Sequence, residues 1–352
     1  MEKRFMTGNE AIAEAAIQAG CRYYFGYPIT PQNEIPEHMS RRLPEVGGTF
    51  LQAESEIAAI YMVFGAAGAG ARVMTSSSSP GISLKQEGIS YIAAAELPCV
   101  IANIMRGGPG LGGIQPSQSD YFQATKGGGH GDYHLLVLAP STIQEAVSLT
   151  MDAFDLADKY RNPVMILGDG HIGQMMEPVV FERKSPPNLP VKEWALTGAK
   201  GRPSNLIKTL DLNPVILEQH NLKIYRKLQE MTKNEVRVEN YLTDDAEVII
   251  AAYGTVARIA KTAIQVLRNK GVKVGLIRPI TLYPFPYKAF EDITKRVNKV
   301  LVVEMSLGQM IEDVKLGVCG KADVRFYGRV GGMIPSYEEI ITETEKLVKG
   351  DQ

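Results

Sequence analysis

Two carboxylates, Glu54 and Glu56, stand in "LQAESEIAAIYMVFGAAGAG" directly ahead of a run of apolar and small residues. An acid that opens a buried helix is desolvated, and a desolvated carboxyl can both donate and accept a proton near neutrality. The plain alternative is a first-turn acid interacting with the helix dipole, a role that suits Glu54. Three further segments carry ligand-type residues. In "YPITP", Tyr27–Pro31, prolines stiffen the turn that holds Pro28, Ile29 and Thr30. Capping by Thr30 explains that turn equally well, but its place at the carboxyl end of a strand, where open parallel sheets bind ligands, favours function. "SSSSPGIS", Ser76–Ser83, offers hydroxyls and amides to an anion at a helix N-terminus, although ordinary capping is the simpler reading. Arg106 follows a strand in "MRGGPG", where a guanidinium fork suits a carboxylate and a solvated arginine is the alternative. Ligand-bearing residues at several strand ends of one region favour the joint functional reading over any single one.

Other chemistries are excluded. "GDGHIG" at Gly168 opens like the magnesium and diphosphate motif of thiamine diphosphate enzymes, but the second ligand, an Asn, is missing from "KEWALTGAK" downstream. Magnesium therefore has to be held by another chain. His130, Asp132 and His134 in "GGGHGDYH" lack a nucleophile or a further ligand. Cys21, Cys99 and Cys319 are scattered, so disulfides, zinc and a cysteine-ligated iron–sulfur cluster are not expected on this chain. Lys plus Arg total 38 against 39 Asp plus Glu, without basic stretches interleaved with aromatics, which argues against nucleic acid. The uncharged run Ile57–Ala71 is shorter than the ~20 residues of a spanning helix. No membrane association and a cytoplasmic location are the expectation, since the N-terminus reads as a Thr7/Glu10 capping box rather than a signal peptide.

The elements that must position these residues alternate. Up to about residue 184, short strands such as "RYYFGYP", "ARVMTS", "CVIANIM" and "PVMILGD" are separated by helices from Ser55, from Gly81 to Glu96 and from Thr142 to Lys159. That rhythm predicts a doubly wound, mostly parallel sheet. The Gly-rich segment from Arg106 to His134 is too long for an ordinary connection and reads as a lid or an interface arm. Residues 185–243 read as linker and connecting helix, with Leu222, Tyr225, Leu228 and Met231 along one face of that helix. A smaller α/β domain follows over 244–352. With 352 residues and 45% apolar content, the chain can form both cores.

Taken together, "FGYPITPQNEIPEHM", "QAESEIAAIYMVFGAAGAGARVMTSSSSPGISLKQEGISY", "ELPCVIANIMRGGPGLGG" and "ILGDGHIGQMMEPV" resemble the α subunit of the 2-oxoacid:ferredoxin oxidoreductases, closest to the branched-chain (2-oxoisovalerate) form. "AAYGTVARIAKTAIQVLRNKGVKVGLIRPITLYPFP" and "VLVVEMSLGQMIEDV" extend the likeness into a transketolase C-terminal-like domain. The resemblance implies oxidative decarboxylation of a 2-oxoacid with coenzyme A to acyl-CoA and carbon dioxide, with reduction of ferredoxin. It implies a pyrimidine-side thiamine diphosphate domain here, and a β subunit that supplies the magnesium and diphosphate half. A γ subunit and a ferredoxin-like δ subunit carrying [4Fe-4S] clusters would complete the enzyme. Pro28, Ile29 and Thr30 match the family's turn beside cofactor and substrate, Glu56 the acid facing the aminopyrimidine, and Arg106 the residue that contacts the 2-oxoacid carboxylate. Gly110 and Leu111 stand where many relatives have Ser and Thr, so pyruvate or 2-oxoglutarate remain alternative substrates. A self-sufficient thiamine diphosphate enzyme fails on the missing metal motif. A non-catalytic scaffold subunit would require Glu56 and Arg106 to be dispensable.

Overall fold

The structure, a computed structural model, describes residues 3–182 and 191–350. The domain boundary read at 184/185 and the first linker residues lie outside that range. The larger sheet has seven strands, in spatial order Thr281–Tyr283, Leu136–Leu138, Pro163–Asp169, Cys99–Met105, Val73–Ser77, Tyr23–Gly26 and Thr49–Gln52. All neighbours are parallel except the first pair, which is antiparallel. Its two central strands, "CVIANIM" and "PVMILGD", are buried at every position, as strands covered by helices on both faces must be. The second sheet orders Asp323–Gly328, Lys299–Glu304, Val248–Ala251, Val274–Pro279 and Val238–Tyr241, with only the last pair antiparallel.

The helices begin where side chains satisfy their free amides. Thr7 and Glu10 form the predicted capping box ahead of Gly8–Gln18. Ser55 Oγ accepts from the Ala58 amide at 3.1 Å, which starts the Glu56–Gly68 helix, and Thr142 does the same for Ile143–Tyr160. Asp169, which the sequence presents as a possible metal-motif residue, is a helix cap. Its Oδ1 accepts from the amides of His171 and Ile172 at 2.9 and 3.2 Å and from Thr255 Oγ1 at 2.9 Å.

The two halves exchange strands, which a linear division of the chain does not anticipate. Thr281–Tyr283 extends the edge of the first sheet, and Val238–Tyr241, within the stretch read as linker and connecting helix, closes the edge of the second. Each is a short segment whose place is set by an open edge rather than by its own pattern. The helix Pro214–Asn234 buries Ile224, Leu228 and Met231 against the first core, while Leu222 and Tyr225 are exposed. Its contact stripe is therefore rotated from the predicted one. One apolar cluster runs from Ile60 and Ile89 through Tyr121 and Tyr253 to Phe290 and Val302, so the halves share a core.

The long Gly-rich segment is the arm that joins them. Gln118, wholly buried, receives its amide partners entirely from the second sheet's strand ends. Its Nε2 donates to the Tyr253 carbonyl at 2.9 Å and its backbone N–H to the Met305 carbonyl at 2.8 Å. Its Oε1 accepts from the Met305 amide at 3.0 Å and its carbonyl from Tyr253 Oη at 3.1 Å. Downstream, Tyr121 Oη and Lys126 Nζ both reach the buried Asp313 carboxylate, at 2.6 and 2.5 Å. Gln118→Leu roughly keeps the volume but strands the Met305 amide, costing roughly 1–3 kcal/mol when buried unpaired, while the Tyr253 carbonyl keeps the Ala257 amide at 3.2 Å. A denaturant titration of the full chain should show a loss of about 1–3 kcal/mol in unfolding free energy; a midpoint unmoved from wild type would mean that the shared apolar core alone holds the halves together.

Candidate active site

The carboxyl ends of the first sheet's strands converge on one edge, and the candidate residues meet there. The turn after Tyr23–Gly26 is fixed from three sides. The Pro31 carbonyl accepts from Asn9 Nδ2 at 2.7 Å and Gln174 Nε2 at 2.9 Å, and the Thr30 carbonyl accepts from Arg106 at 2.9 Å. Thr30 does not cap the helix that follows; Asn33 occupies that position, and its Nδ2 donates to Thr30 Oγ1 at 3.3 Å. Pro28 is exposed and Ile29 and Thr30 are half-buried, so the turn faces outward from a rigid base.

Arg106 is 6% exposed, not solvated. One terminal nitrogen donates to the Thr30 carbonyl and the other to the Leu111 carbonyl at 3.0 Å, while the buried Nε–H has no partner. The fork expected to take a carboxylate thus braces the turn and the Gly-rich loop, and Nε–H is its open donor. The Arg106 backbone amide donates to Ser79 Oγ at 3.0 Å, and that hydroxyl donates to Asp120 at 2.6 Å. Asn103 Nδ2 donates to the same Asp120 oxygen at 2.9 Å, and burial holds this carboxyl above its ordinary range.

The serines do not act as redundant caps. Ser78 precedes the Ser79–Ala94 helix without a side-chain capping bond, and Ser77 Oγ and Ser78 Oγ are buried without partners. Ser76 Oγ donates to Gln32 Oε1 and lies 2.6 Å from Tyr24 Oη. Asn33 Oδ1 and Asn103 Oδ1 are also unpaired. Buried polar atoms are ordinarily satisfied, so this concentration of open groups at one sheet edge marks a place that receives polar atoms from elsewhere.

Glu56 closes the site on the opposite side. It is 7% exposed at the first turn of its helix, whereas Glu54 is exposed. Gly81 makes room for it: a Cβ there would stand 2.7 Å from Glu56 Oε1 and 2.1 Å from Ser77 Oγ. The apolar setting predicted for this acid is incomplete, because the wholly buried Lys85 lies one turn beyond Gly81 on the same helix face. Burial pushes the Lys85 ammonium down to about 7, and the Glu56 carboxylate pulls it partly back. Lys85 and Asp120 are site residues that the sequence reading passed over. Lys85 carried a signal, since it occupies a core position of the helical stripe with Ile82 and Ile89, where a lysine is out of place. Asp120, in an aperiodic loop, carried none.

A cleft of about 540 Å³ opens beside Thr30, lined by Asn33, Ile114, Pro116, His171 and Met175. A larger groove along the Pro214–Asn234 helix, about 1050 Å³, shares none of the site residues. It includes His134, which stacks on Tyr283 at 4.1 Å and hydrogen-bonds the Thr125 carbonyl. Among the described residues no His, Cys, Asp and Glu side chains group as a metal site, and no helix is long and apolar enough to cross a membrane. Around Glu56, Ile57, Tyr61, Gly65 and Ala69 form an exposed stripe along a helix that is apolar on every face.

Comparison with known proteins bears on the fold and the family. Residues 14–242 match the family described as pyruvate flavodoxin/ferredoxin oxidoreductase, thiamine diphosphate-binding, and residues 246–340 match pyruvate:ferredoxin oxidoreductase core domain II. The chain is 49% identical to ketoisovalerate oxidoreductase subunit VorB of Methanothermobacter marburgensis, over 99% of this chain and 98% of that one. It is 38% identical to 2-oxoglutarate synthase subunit KorA of Methanothermobacter thermautotrophicus, over 98% and 99%. The solved 2-oxoglutarate:ferredoxin oxidoreductase from Magnetococcus marinus, with 2-oxoglutarate, coenzyme A and succinyl-CoA bound, superposes with a TM-score of 0.84 at 27% identity. That alignment covers 98% of this chain and 65% of that one. A split-gene transketolase shares the fold alone, at a TM-score of 0.62 and 13% identity.

The two glycines of the Glu56 region separate packing from propensity. Gly81→Ala forces a methyl against Ser77 and Glu56 and should destabilise the chain by about 1–3 kcal/mol. Gly65, with nothing near its would-be Cβ, should gain roughly 0.5–1 kcal/mol on Gly65→Ala. Thermal unfolding of both variants checks the pair, and equal shifts would contradict the tight seat drawn around the Glu56 carboxylate.

Proposed function

This chain belongs to the 2-oxoacid:ferredoxin oxidoreductase family, and we propose that it serves in the cytoplasm as the α subunit of a branched-chain 2-oxoacid:ferredoxin oxidoreductase. The reaction is the oxidative decarboxylation of a 2-oxoacid with coenzyme A to acyl-CoA and carbon dioxide, with electrons passed to ferredoxin. The observation that carries the reading is the set of unpaired buried polar atoms, Ser77 Oγ, Ser78 Oγ, Asn103 Oδ1 and Arg106 Nε, facing the same edge as the buried Glu56. They fit one half of a thiamine diphosphate site. The exposed apolar stripe beside Glu56 is the surface a β subunit would cover, and that subunit would bring the magnesium and diphosphate half. A γ subunit and a ferredoxin-like δ subunit with [4Fe-4S] clusters complete the proposed assembly.

When bound, thiamine diphosphate supplies a carbon nucleophile that can hold the electrons released on decarboxylation. The residues of this chain do the rest by position. Glu56 holds and exchanges a proton with the aminopyrimidine ring nitrogen. Pro28, Ile29 and Thr30 form the wall on which the cofactor and substrate rest. Arg106 fixes that wall through the Thr30 carbonyl and offers its open Nε–H to the substrate carboxylate. The 49% identity to a ketoisovalerate oxidoreductase subunit, against 38% to a 2-oxoglutarate synthase subunit, supports a branched substrate. Ile114 and Pro116 in the cleft beside Thr30 give an acyl chain apolar contact.

The complex purified with its partner subunits should show a higher kcat/KM for 2-oxoisovalerate than for pyruvate or 2-oxoglutarate, with a dye as electron acceptor. A preference for 2-oxoglutarate would overturn the substrate assignment.

Glu56→Gln keeps the shape and removes the exchangeable proton. Assembly and cofactor binding should persist while turnover falls by roughly 10²–10⁴, the contribution of a positioned acid–base group. Glu54→Gln should leave turnover near wild type, and normal turnover in both variants would leave the scaffold role standing.

A further inference from the structure

Lys85 is completely buried, yet its Nζ makes a single hydrogen bond among the described residues, to Thr75 Oγ1 at 2.8 Å. A lysine in such a place needs a counter-ion, and the packing supplies one. At Gly81, one turn earlier on the same helix face, a Cβ would stand 2.7 Å from Glu56 Oε1 and 2.1 Å from Ser77 Oγ, and Thr75 lies on the strand that ends at Ser77. Lys85 is therefore one helical turn from the glycine that the Glu56 carboxylate packs over.

We propose that Lys85 is a positioning residue for Glu56, an internal counter-ion that sets how readily the Glu56 carboxyl takes up and gives back its proton. The inference rests on the reading of Glu56 as the acid that faces the cofactor. The charged groups around Lys85 are few. Thr75 and Ser77 on the strand offer only hydroxyls, Glu87 on its own helix is exposed, and Glu56 is the one charge that acts on it. No hydrogen bond joins Lys85 to Glu56 among the described residues, so the influence is exerted through the field in a dry, low-dielectric space.

The pair can hold one proton in two ways, as ammonium with carboxylate or as amine with carboxylic acid. Both forms are net neutral, so neither leaves an uncompensated buried charge. Without Lys85 the carboxylate would be alone in the interior, and burial would favour its protonated form. A lone acid of that kind gives up its proton only at higher pH.

Lys85→Met removes the charge and keeps the length of the side chain. Two measurements test the inference. In the assembled complex with thiamine diphosphate, deuterium exchange at the cofactor C2 position is followed by NMR across pH. The acid limb of that profile should move up by about one unit or more in Lys85→Met, the size of effect of a neighbouring opposite charge. In the full chain without cofactor, stability is followed against pH. Burial pushes the Lys85 ammonium down to about 7 in the folded chain, against near 10.4 once unfolded. Between these values the unfolded chain binds the extra proton, so this group makes wild-type stability rise with pH, and Lys85→Met should lack that rise.

An unmoved exchange profile in Lys85→Met, alongside lost exchange in Glu56→Gln, overturns the role given to Lys85 and leaves Glu56 in place. Normal exchange in Glu56→Gln overturns the reading of Glu56 and takes the inference with it. Should Lys85→Met fail to assemble, Thr75→Val, which strips the ammonium of its hydrogen bond, should shift the limb in the same direction by a smaller amount; an unchanged limb there is equally fatal to the proposal.

Discussion

A buried side-chain amide orders most of what lies above the first sheet. Gln118 spends both ends of its side chain and both of its backbone groups on Tyr253 and Met305, which sit where two strands of the second sheet end. The segment Arg106–Gln118 is thereby anchored at both ends, at the far one by this clamp and at the near one by the Arg106 guanidinium on Thr30 and Leu111. A glycine-rich stretch that would otherwise sample many conformations is held over the carboxyl edge of the sheet. Its ordering entropy is offset by hydrogen bonds made in a dry interior, where each is costly to lose.

That anchoring links the candidate site to domain packing. Arg106 touches the Thr30 turn, Ser79 touches Arg106, and Asp120 ties Ser79 to Asn103 on the central strand. The Gln118 clamp, between Arg106 and Asp120 in the fold of the loop, therefore bears on every one of these contacts. Thr255 on Asp169 is a second tie across the same boundary, which explains why an aspartate that resembles half of a metal motif is spent on capping and bridging.

Much of this was legible in the residues. Strands with an unbroken apolar run, the capping residues Thr7, Ser55 and Thr142, and the clustering of ligand-type residues after successive strands all follow from local rules that the packing obeys. The features that escaped are those decided by other parts of the chain. The segment Thr281–Tyr283 finds its place only because the Leu136–Leu138 edge is open, and Val238–Tyr241 only because Val274–Pro279 is. Neither has a pattern of its own. The helix Pro214–Asn234 carries apolar residues around much of its girth, so its sequence could not say which stripe meets the core. The Arg106 fork looked free because the two carbonyls that occupy it are distant or irregular in sequence. Lys85 is the instructive miss, since its charge in a core register was visible and only its partner was not.

On the proposed reading of Glu56, its placement gives a physical reason for sharing the proposed site between chains. The chain by itself leaves Glu56 only 7% exposed, so its carboxyl is largely removed from water before any partner binds. Ile57 and Tyr61, 47% and 37% exposed, belong to an apolar stripe on the same helix. Any partner that covers that stripe dries Glu56 in the same act. Covering it also leaves the buried ammonium of Lys85 as the nearest compensating charge, so association would strengthen the coupling between the two groups as the local dielectric falls. Acid function and subunit association would then draw on one helix.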